Sequence, residues 1–357
     1  MWTENNVFKE DLEKIANFSF IPWESLKDKT VFITGSTGLI GYTIASTLMF
    51  YALRHKCKIN VLSLVRDEVR ARQIFKSQLE DGCNCQFIEG CLEEMPSISL
   101  NINYIIHCAC PTDSSYFITN PTQTIHSIFI GTNNILKLAQ EKKVLGMVYL
   151  SSMEVYGQVF TQEKLTEQDL GYINPLLVRS SYSEGKRMAE NLCCAYAHQY
   201  AVPVTIARLA QTFGPGVKNT DRRVFSYMTQ CALAHQDINL KTNGLKENMY
   251  LYTLDAASAL LILLLRGKPG NAYNVANENT YCSIKEMARL VLDVLGAPSA
   301  KVYTNVGGNE EGLYPPEGYL NLDVGKLKAL GWYPTVDLPE MYIKMAKTFS
   351  NVESREF

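Results

Sequence analysis

Several things are scarce in this 357-residue chain, and each scarcity closes a route. Long apolar runs are missing: the longest, ALLILLL at 259–265, is far short of the roughly 20 residues that a membrane-spanning helix needs. Charge of one sign is missing too, because 34 basic residues nearly cancel 36 acidic ones and leave a net charge of −2. A general binder of nucleic acid or of anionic membrane would carry a large basic excess, so neither partner is expected. Histidine is limited to five residues, and the ten cysteines never fall into the paired C-x-x-C spacing of a zinc site. His107 beside Cys108 and Cys110 is the one conceivable metal cluster, and without a second group of ligands it reads as the polar end of a buried strand; no metal is expected. The first residues, MWTENNVFKEDLEKIANFSF, are acidic where an export signal would be basic and then apolar. The expectation is a cytoplasmic protein whose thiols stay reduced and mostly fill core space.

What is present is an alternation. Short β-rich runs at 30–34, 60–65, 85–89, 104–107, 147–151 and 204–208 are separated by amphipathic stretches, among them 41–53, 122–141 and 182–200. Strand and helix repeated in this order predict a parallel sheet covered by helices on both faces. The strand runs lack strict alternation of apolar and polar residues, as strands buried on both sides do. After residue 210 the pattern loosens into Gly, Pro and Asn-rich loops with separated helices, one of them at 283–295. The reading is therefore an N-terminal extension at 1–27, a dinucleotide-binding domain at 28–208, and a mainly substrate-binding lobe at 209–357 that returns some segments to the first domain.

The first strand ends in TGSTGLIG, with Gly35, Gly38 and Gly41 three apart. Glycines so placed allow a tight turn and a close approach of backbone to a pyrophosphate, which then sits at the positive end of the next helix. The trio follows a strand and opens a helix, the context that separates a dinucleotide site from an ordinary turn. The second strand, INVLSLVRDE, places Val65 where an acid would hold the adenine ribose, and Arg66 next to it. That leans toward the 2′-phosphate of NADP, although Arg66 also fits stacking on adenine or simple solvation.

Two further segments carry chemistry. In RSSYSEGK, Tyr182 and Lys186 are four apart and share a helix face, so the ammonium is expected to favour the phenolate and make Tyr182 an acid or base. In SSMEVYG, Ser152 can hydrogen-bond the oxygen that Tyr182 protonates. Glu154 has no task in plain hydride transfer, but a carboxylate can remove the proton acidified by a neighbouring ketone. A helix cap or a solvated loop residue is the other reading of Glu154.

Together these residues resemble the extended short-chain dehydrogenase/reductase superfamily, in its nucleotide-sugar epimerase, dehydratase and decarboxylase branch. The resemblance runs over about residues 28–346 and includes TGSTGLIG, HCACP at 107–111, NPTQTIHSIFIGTNNIL from Asn120, SSMEVYG, RSSYSEGKRMAE, ARLAQTFGPG from Ala207, YNVAN from Tyr273 and LGWYP at 330–334. It is similar above all to UDP-glucuronate decarboxylases, across 111–157 and 179–223. The resemblance implies a Rossmann-like doubly wound parallel sheet with a smaller C-terminal α/β substrate lobe, and a homodimer formed through two helices of each subunit. It implies Ser152, Tyr182 and Lys186 as catalytic residues with Glu154 beside them. The cofactor, NAD or NADP, would be held by Gly35, Thr37, Gly38, Leu39, Ile40, Gly41, Arg66, Ala109, Tyr182 and Lys186. The sugar substrate, nucleotide-linked, would meet Pro111, Tyr116, Ser152, Met153, Gln211, Arg223 and Asn248.

Three departures are visible. Met153 stands where dehydratases of this branch carry Asp, which disfavours 4,6-dehydration. Gln211 replaces a common Asn, and Asn248 replaces an arginine that pairs with the substrate diphosphate, a bidentate role an amide does not fill. Three readings follow: a nucleotide-sugar epimerase or decarboxylase that keeps NAD tightly bound, an NADP-linked reductase or dehydrogenase of a sugar or polyol phosphate, and a non-catalytic dinucleotide sensor. Retention of Ser152, Tyr182 and Lys186 weighs against the last.

Overall fold

The computed structural model describes residues 6–304 and 318–350. Twelve strands lie among them: β1 (Lys29–Thr34), β2 (Ile59–Val65), β3 (Cys85–Glu89), β4 (Tyr104–His107), β5 (Gly146–Ser152), β6 (Val204–Leu209), β7 (Gln211–Phe213), β8 (Ile238–Leu240), β9 (Glu247–Tyr252), β10 (Ala272–Val275), β11 (Asn277–Ser283) and β12 (Val302–Thr304). Seven of them form one parallel sheet in the order β10-β6-β5-β4-β1-β2-β3. Strand order reverses between β1 and β4, and at such a switch point a crevice opens at the carboxyl ends of the strands.

Alternate residues of each central strand feed opposite layers. Val31, Ile33, Val61, Ile106, Val148 and Ala207 face the layer built by the Leu39–Arg54 and Thr253–Arg266 helices. Phe32, Leu62, Ile105, Met147, Tyr149 and Ile206 face the layer of the Pro121–Lys142 and Ser180–Tyr200 helices. Period-two side chains on a sheet covered on both sides produce the unbroken apolar runs read above. Each fully buried aliphatic or aromatic side chain contributes roughly 1.5–3 kcal/mol.

The six strands expected from the sequence are present at their expected places, with ends shifted by at most a residue or so. Two elements beyond residue 210 complete the sheet: β10 pairs in parallel with β6, and the apolar run 259–265 is the buried body of the helix that covers β4, β5 and β6. The second lobe holds a three-stranded sheet, β11-β9-β7, and the pair β12-β8. Its helix Ile284–Val294 starts with a capping box, in which Ser283 and Glu286 satisfy each other's backbone N–H. The N-terminal helix Asn6–Ala16 packs on Leu39–Arg54, and its Asp11 accepts hydrogen bonds from Lys344 Nζ (2.7 Å) and the Tyr252 hydroxyl. All ten cysteines are free thiols. No helix among the described residues is long and apolar enough to cross a membrane.

Candidate active site

The crevice begins at the β1 turn. Gly35 has φ +71°, and a Cβ there would press on the Ala109 backbone at 2.8 Å from N. A Cβ on Gly41 would collide with the Gly35 carbonyl, so this trio lets the first turn of the Leu39–Arg54 helix sit directly on the strand end. Gly38 is the N-cap of that helix and has no side chain to satisfy the free N–H groups. Thr37 and Gly38 are exposed at the mouth, while Leu39 and Ile40 are half-buried behind them. An uncapped helix N-terminus behind a glycine turn, at the switch point of a parallel sheet, fits the pyrophosphate of a dinucleotide.

A hydrogen-bond relay fixes the neighbouring strand end. Ala109 N–H donates to Thr34 Oγ1 at 3.2 Å, Thr34 Oγ1 lies 2.7 Å from His107 Nδ1, and His107 Nε2 lies 3.3 Å from Thr132 Oγ1. Satisfying every donor assigns the ring proton to Nε2. Burial, reinforced by the Lys186 charge, pushes His107 down to about 3, so the ring is neutral. His107 thereby joins β1, β4 and the Pro121–Lys142 helix, and no cluster of three potential metal ligands occurs among the described residues.

At the end of β2, Val65 is buried and Arg66 is exposed. Asp67 accepts from Arg70 N–H at 2.8 Å and so caps the Glu68–Ile74 helix. Asp67 is thus engaged in capping, and Glu89, across from Val65 on β3, accepts Glu68 N–H at 2.9 Å.

Ser152, Glu154, Tyr182 and Lys186 come together where β5 stops. β5 ends because Ser152 becomes the N-cap of the 3-10 turn Met153–Tyr156, its Oγ accepting Glu154 N–H at 3.2 Å. Met153 turns from this point into the core that the two lobes share. Tyr182 is 8% exposed, stacks on Phe117 at 4.2 Å and 11°, and has the Ser152 side chain as a polar neighbour. Lys186 is buried, donates to Leu150 O at 2.6 Å, and lies 4.7 Å from the Tyr149 ring centre and 5.8 Å from that of Tyr182. The expected phenolate is not what this arrangement favours. Burial, with Cys110 and Glu154 acting in the same direction, raises Tyr182 well above its ordinary value, and Ser152 and Arg179 only partly oppose it. Burial is the main reason, and the Lys186 ammonium directs a proton to the Leu150 carbonyl.

Glu154 follows the cap rather than forming it, and its carboxylate is partly exposed and clamped. Arg179 grips both its oxygens, at 3.2 and 3.3 Å, and Ser183 Oγ donates to Oε2 at 3.2 Å. Neither Arg179 nor Ser183 stood out in the sequence. The 25-residue separation between Arg179 and Glu154 hides the pair, and only the fact that Ser183 follows Tyr182 hints at its place.

The remaining substrate candidates are dispersed. Pro111 and Ala109 are half-buried beyond β4, and Tyr116 is exposed on the short helix Ser114–Thr119. Gln211 is half-buried on β7 in register with Tyr250 of β9, and Asn248 is buried on β9. Arg223 is bound to Asp221, 2.6 Å away, and lies over Phe225. Lys246, immediately ahead of β9, was not singled out from the sequence; burial brings it down to about 8, within the field of Glu154 and Arg179.

Comparison with known proteins agrees with this geometry. The model of the NAD dependent epimerase/dehydratase family matches residues 31–276. UDP-glucuronic acid decarboxylase 1 of Xenopus tropicalis is 28% identical over 336 residues, covering 93% of this chain and 75% of the relative. UDP-glucuronic acid decarboxylase 6 of Arabidopsis thaliana is 32% identical over 253 residues, 70% of each chain. Among solved structures, UDP-glucuronic acid 4-epimerase from Bacillus cereus, in complex with UDP-glucuronic acid and NAD, superposes with a TM-score of 0.74 at 18% identity, over 90% of this chain and 99% of the other. The dTDP-glucose 4,6-dehydratase of Bacillus anthracis, in complex with NAD, gives 0.72 at 20% identity, over 91% and 97%. Of the two nucleotides expected from the sequence, NAD is the one that the matched family's description carries. With the glycine turn, the switch-point crevice and a family match that reaches every strand of the seven-stranded sheet, the chain belongs to the NAD dependent epimerase/dehydratase family and is an enzyme of that family.

Proposed function

We propose that this enzyme modifies a nucleotide-linked sugar by epimerisation or decarboxylation, through a transient keto-sugar, with Tyr182 as acid and base. The observation that carries the reading is the convergence of Ser152, Tyr182 and a clamped Glu154 at the end of β5, since plain hydride transfer does not call for the carboxylate. The glycine turn at 35–41, Ala109 and Lys186 would hold the NAD. Bound NAD supplies a two-electron acceptor and a positive charge.

Within the chain, Ser152 orients the sugar hydroxyl by a hydrogen bond, and Tyr182 exchanges its proton. The protonated phenol of the free site is a donor as it stands, and acts as acceptor once added positive charge offsets its burial. Glu154, held by Arg179 and Ser183, faces the neighbouring carbon as base. The relatives' names and the ligands of the neighbours, UDP-glucose and UDP-glucuronic acid, support a uridine nucleotide sugar as substrate. We propose further that the enzyme is a cytoplasmic homodimer, paired through the Pro121–Lys142 and Ser180–Tyr200 helices, whose Ile125, Phe129 and Met188 lie exposed.

The pairing of Arg223 with Asp221 favours a second reading, because it leaves that arginine engaged and weakens the case for a diphosphate. That reading is an exchanging reductase of a sugar or polyol phosphate. Denaturing the purified enzyme and identifying the released nucleotide separates the two. Near-stoichiometric NAD or NADH is expected; an empty site that binds NADPH better than NADH would overturn the first reading.

A further inference from the structure

Glu154 is held twice, by its side chain and by its backbone. Arg179 and Ser183 grip the carboxylate, while the backbone belongs to the 3-10 turn Met153–Tyr156, closed by Gly157 N–H donating to Glu154 O at 3.2 Å. So short a 3-10 turn has little internal bonding to fix it. Arg187, the residue after Lys186 on the Ser180–Tyr200 helix, supplies what is missing. Its Nε donates to Val155 O at 2.7 Å, and its Nη2 donates to Gly171 O at 2.7 Å and, more weakly, to Tyr156 O at 3.5 Å. Glu184 stands at the margin of an ion pair, 4.0 Å from Nη1. Gly171 closes the neck of the excursion 157–171: its N–H donates to Tyr156 O at 2.8 Å, and Gln158 and Tyr172 exchange backbone hydrogen bonds at 2.8 and 3.2 Å. A Cβ on Gly157 would collide with Tyr172 O and one on Gly171 with Gln158 O, so the two sides of the neck meet backbone to backbone. Beyond the neck the chain runs to Arg179, steadied by Ser180 Oγ donating to Asn174 O at 2.6 Å.

We infer that Arg187 is a positioning residue, which sets where the Glu154 carboxylate stands and so governs proton removal from the carbon beside the oxidised centre. This rests on the reading of Glu154 as base and deepens it. Tyr182, Lys186 and Arg187 share one helix, so a single rigid element places the phenol directly and the carboxylate through the turn. The guanidinium suits this task because its planar fork reaches two carbonyls at once, which a point charge such as lysine does not. One arm holds the turn that carries Glu154; the other holds the neck from which the chain leads to Arg179. Loss of the fork therefore loosens both members of the Glu154–Arg179 pair together. Arg187 acts through Glu154 and takes no part in proton transfer itself.

The test is a double-mutant cycle on NAD-loaded wild type, Arg187→Met, Glu154→Gln and the double variant, with turnover of UDP-glucuronate and UDP-glucose followed at high enzyme concentration. Hydrogen exchange of the peptides covering 153–157 and 168–180 is read by mass spectrometry on the same samples. A misplacement of about 1 Å predicts a kcat about 10- to 100-fold lower in Arg187→Met, with KM within about 3-fold of wild type. Exchange should quicken in those two peptides and stay unchanged in the seven-stranded sheet. In the Glu154→Gln background the same substitution should lower the residual rate by less than about 2-fold, because the group it positions is gone. Equal losses in both backgrounds overturn the inference, as does unchanged exchange in both peptides. Arg187→Lys, which keeps the charge without the fork, covers a failure of Arg187→Met to fold and should show the same pattern at smaller amplitude. A Glu154→Gln enzyme as fast as wild type would remove the base and its positioning residue together. If wild type converts neither sugar, the nucleotide-sugar reading falls by itself, and exchange decides on the clamp: quickening confined to the two peptides supports it, and unchanged exchange overturns it.

Discussion

Replacing Tyr182 by Phe removes one oxygen and leaves the rest of the site in place. The ring keeps its stack on Phe117 at 4.2 Å, and Lys186 keeps its bond to Leu150 O, because neither contact uses the hydroxyl. What disappears is the polar contact with Ser152 and the exchangeable proton. A typical hydrogen bond is worth about 0.5–1.5 kcal/mol to stability, so the variant should melt within a few degrees of wild type. General acid–base catalysis contributes about 10²–10⁴-fold, or roughly 3–5.5 kcal/mol of barrier. The catalytic loss is therefore expected to exceed the stability loss several-fold. Turnover of the nucleotide sugar should fall by at least 10²-fold, while NAD content, melting temperature and substrate affinity stay close to wild type. Product formation followed by chromatography, beside a thermal melt of the same sample, decides it. Turnover within a few-fold of wild type would remove Tyr182 from the chemistry, and a loss matched by unfolding would remove the argument from geometry.

Two further outcomes concern the scaffold under the site. Arg208 donates to both oxygens of the buried Glu190, to the Tyr156 hydroxyl and to Glu167 O, and Ser151 Oγ donates to Glu190 as well. Arg208→Met strands a buried carboxylate and should cost about 3–5 kcal/mol in denaturant unfolding, whereas Arg208→Met with Glu190→Met should recover most of it; a double variant no more stable than the single contradicts this. His107, lowered to about 3 by burial, is neutral in the folded protein while the unfolded chain takes up a proton near 6.5. Its contribution is complete above pH 6.5 and drains away as pH falls toward 3, by up to about 5 kcal/mol. His107→Gln should flatten that part of the stability profile, and an unchanged acid slope in the variant would show that the ring is charged or solvated in the fold.

The parallel sheet was legible because β1, β2, β4, β5 and β6 are buried on both faces and β1, β4 and β5 are followed by helix-period runs. β10 escaped notice as a sheet strand: four residues, AYNV, carry no period, and their pairing with β6 spans a long stretch of the other lobe. Gly35, Ser152, Tyr182 and Lys186 were readable because each lies in a short motif whose spacing is local. Arg179 and Ser183 were not, since their meaning depends on separate segments meeting at Glu154. The ionisation of Tyr182 was misjudged for a related reason. Spacing on a helix tells which side chains share a face, but not that burial outweighs a cation whose proton is given to Leu150 O.

The seventh strand has a consequence for how the molecule can be cut. Chain that has left the large sheet after β6 and built much of the small lobe comes back as the Thr253–Arg266 helix and β10, and the LGWYP segment then anchors to that helix, Trp332 Nε1 donating to Ser258 Oγ and the Thr335 and Val336 amides to Asp255. Truncation near residue 210 would bare the β6 edge and uncover one face of β4, β5 and β6. The two lobes are thus interlaced, and a fragment holding the nucleotide turn alone should be insoluble or unfolded. Any movement that admits substrate has to flex at several crossings together, which suits a small sliding of packed surfaces better than a wide hinge.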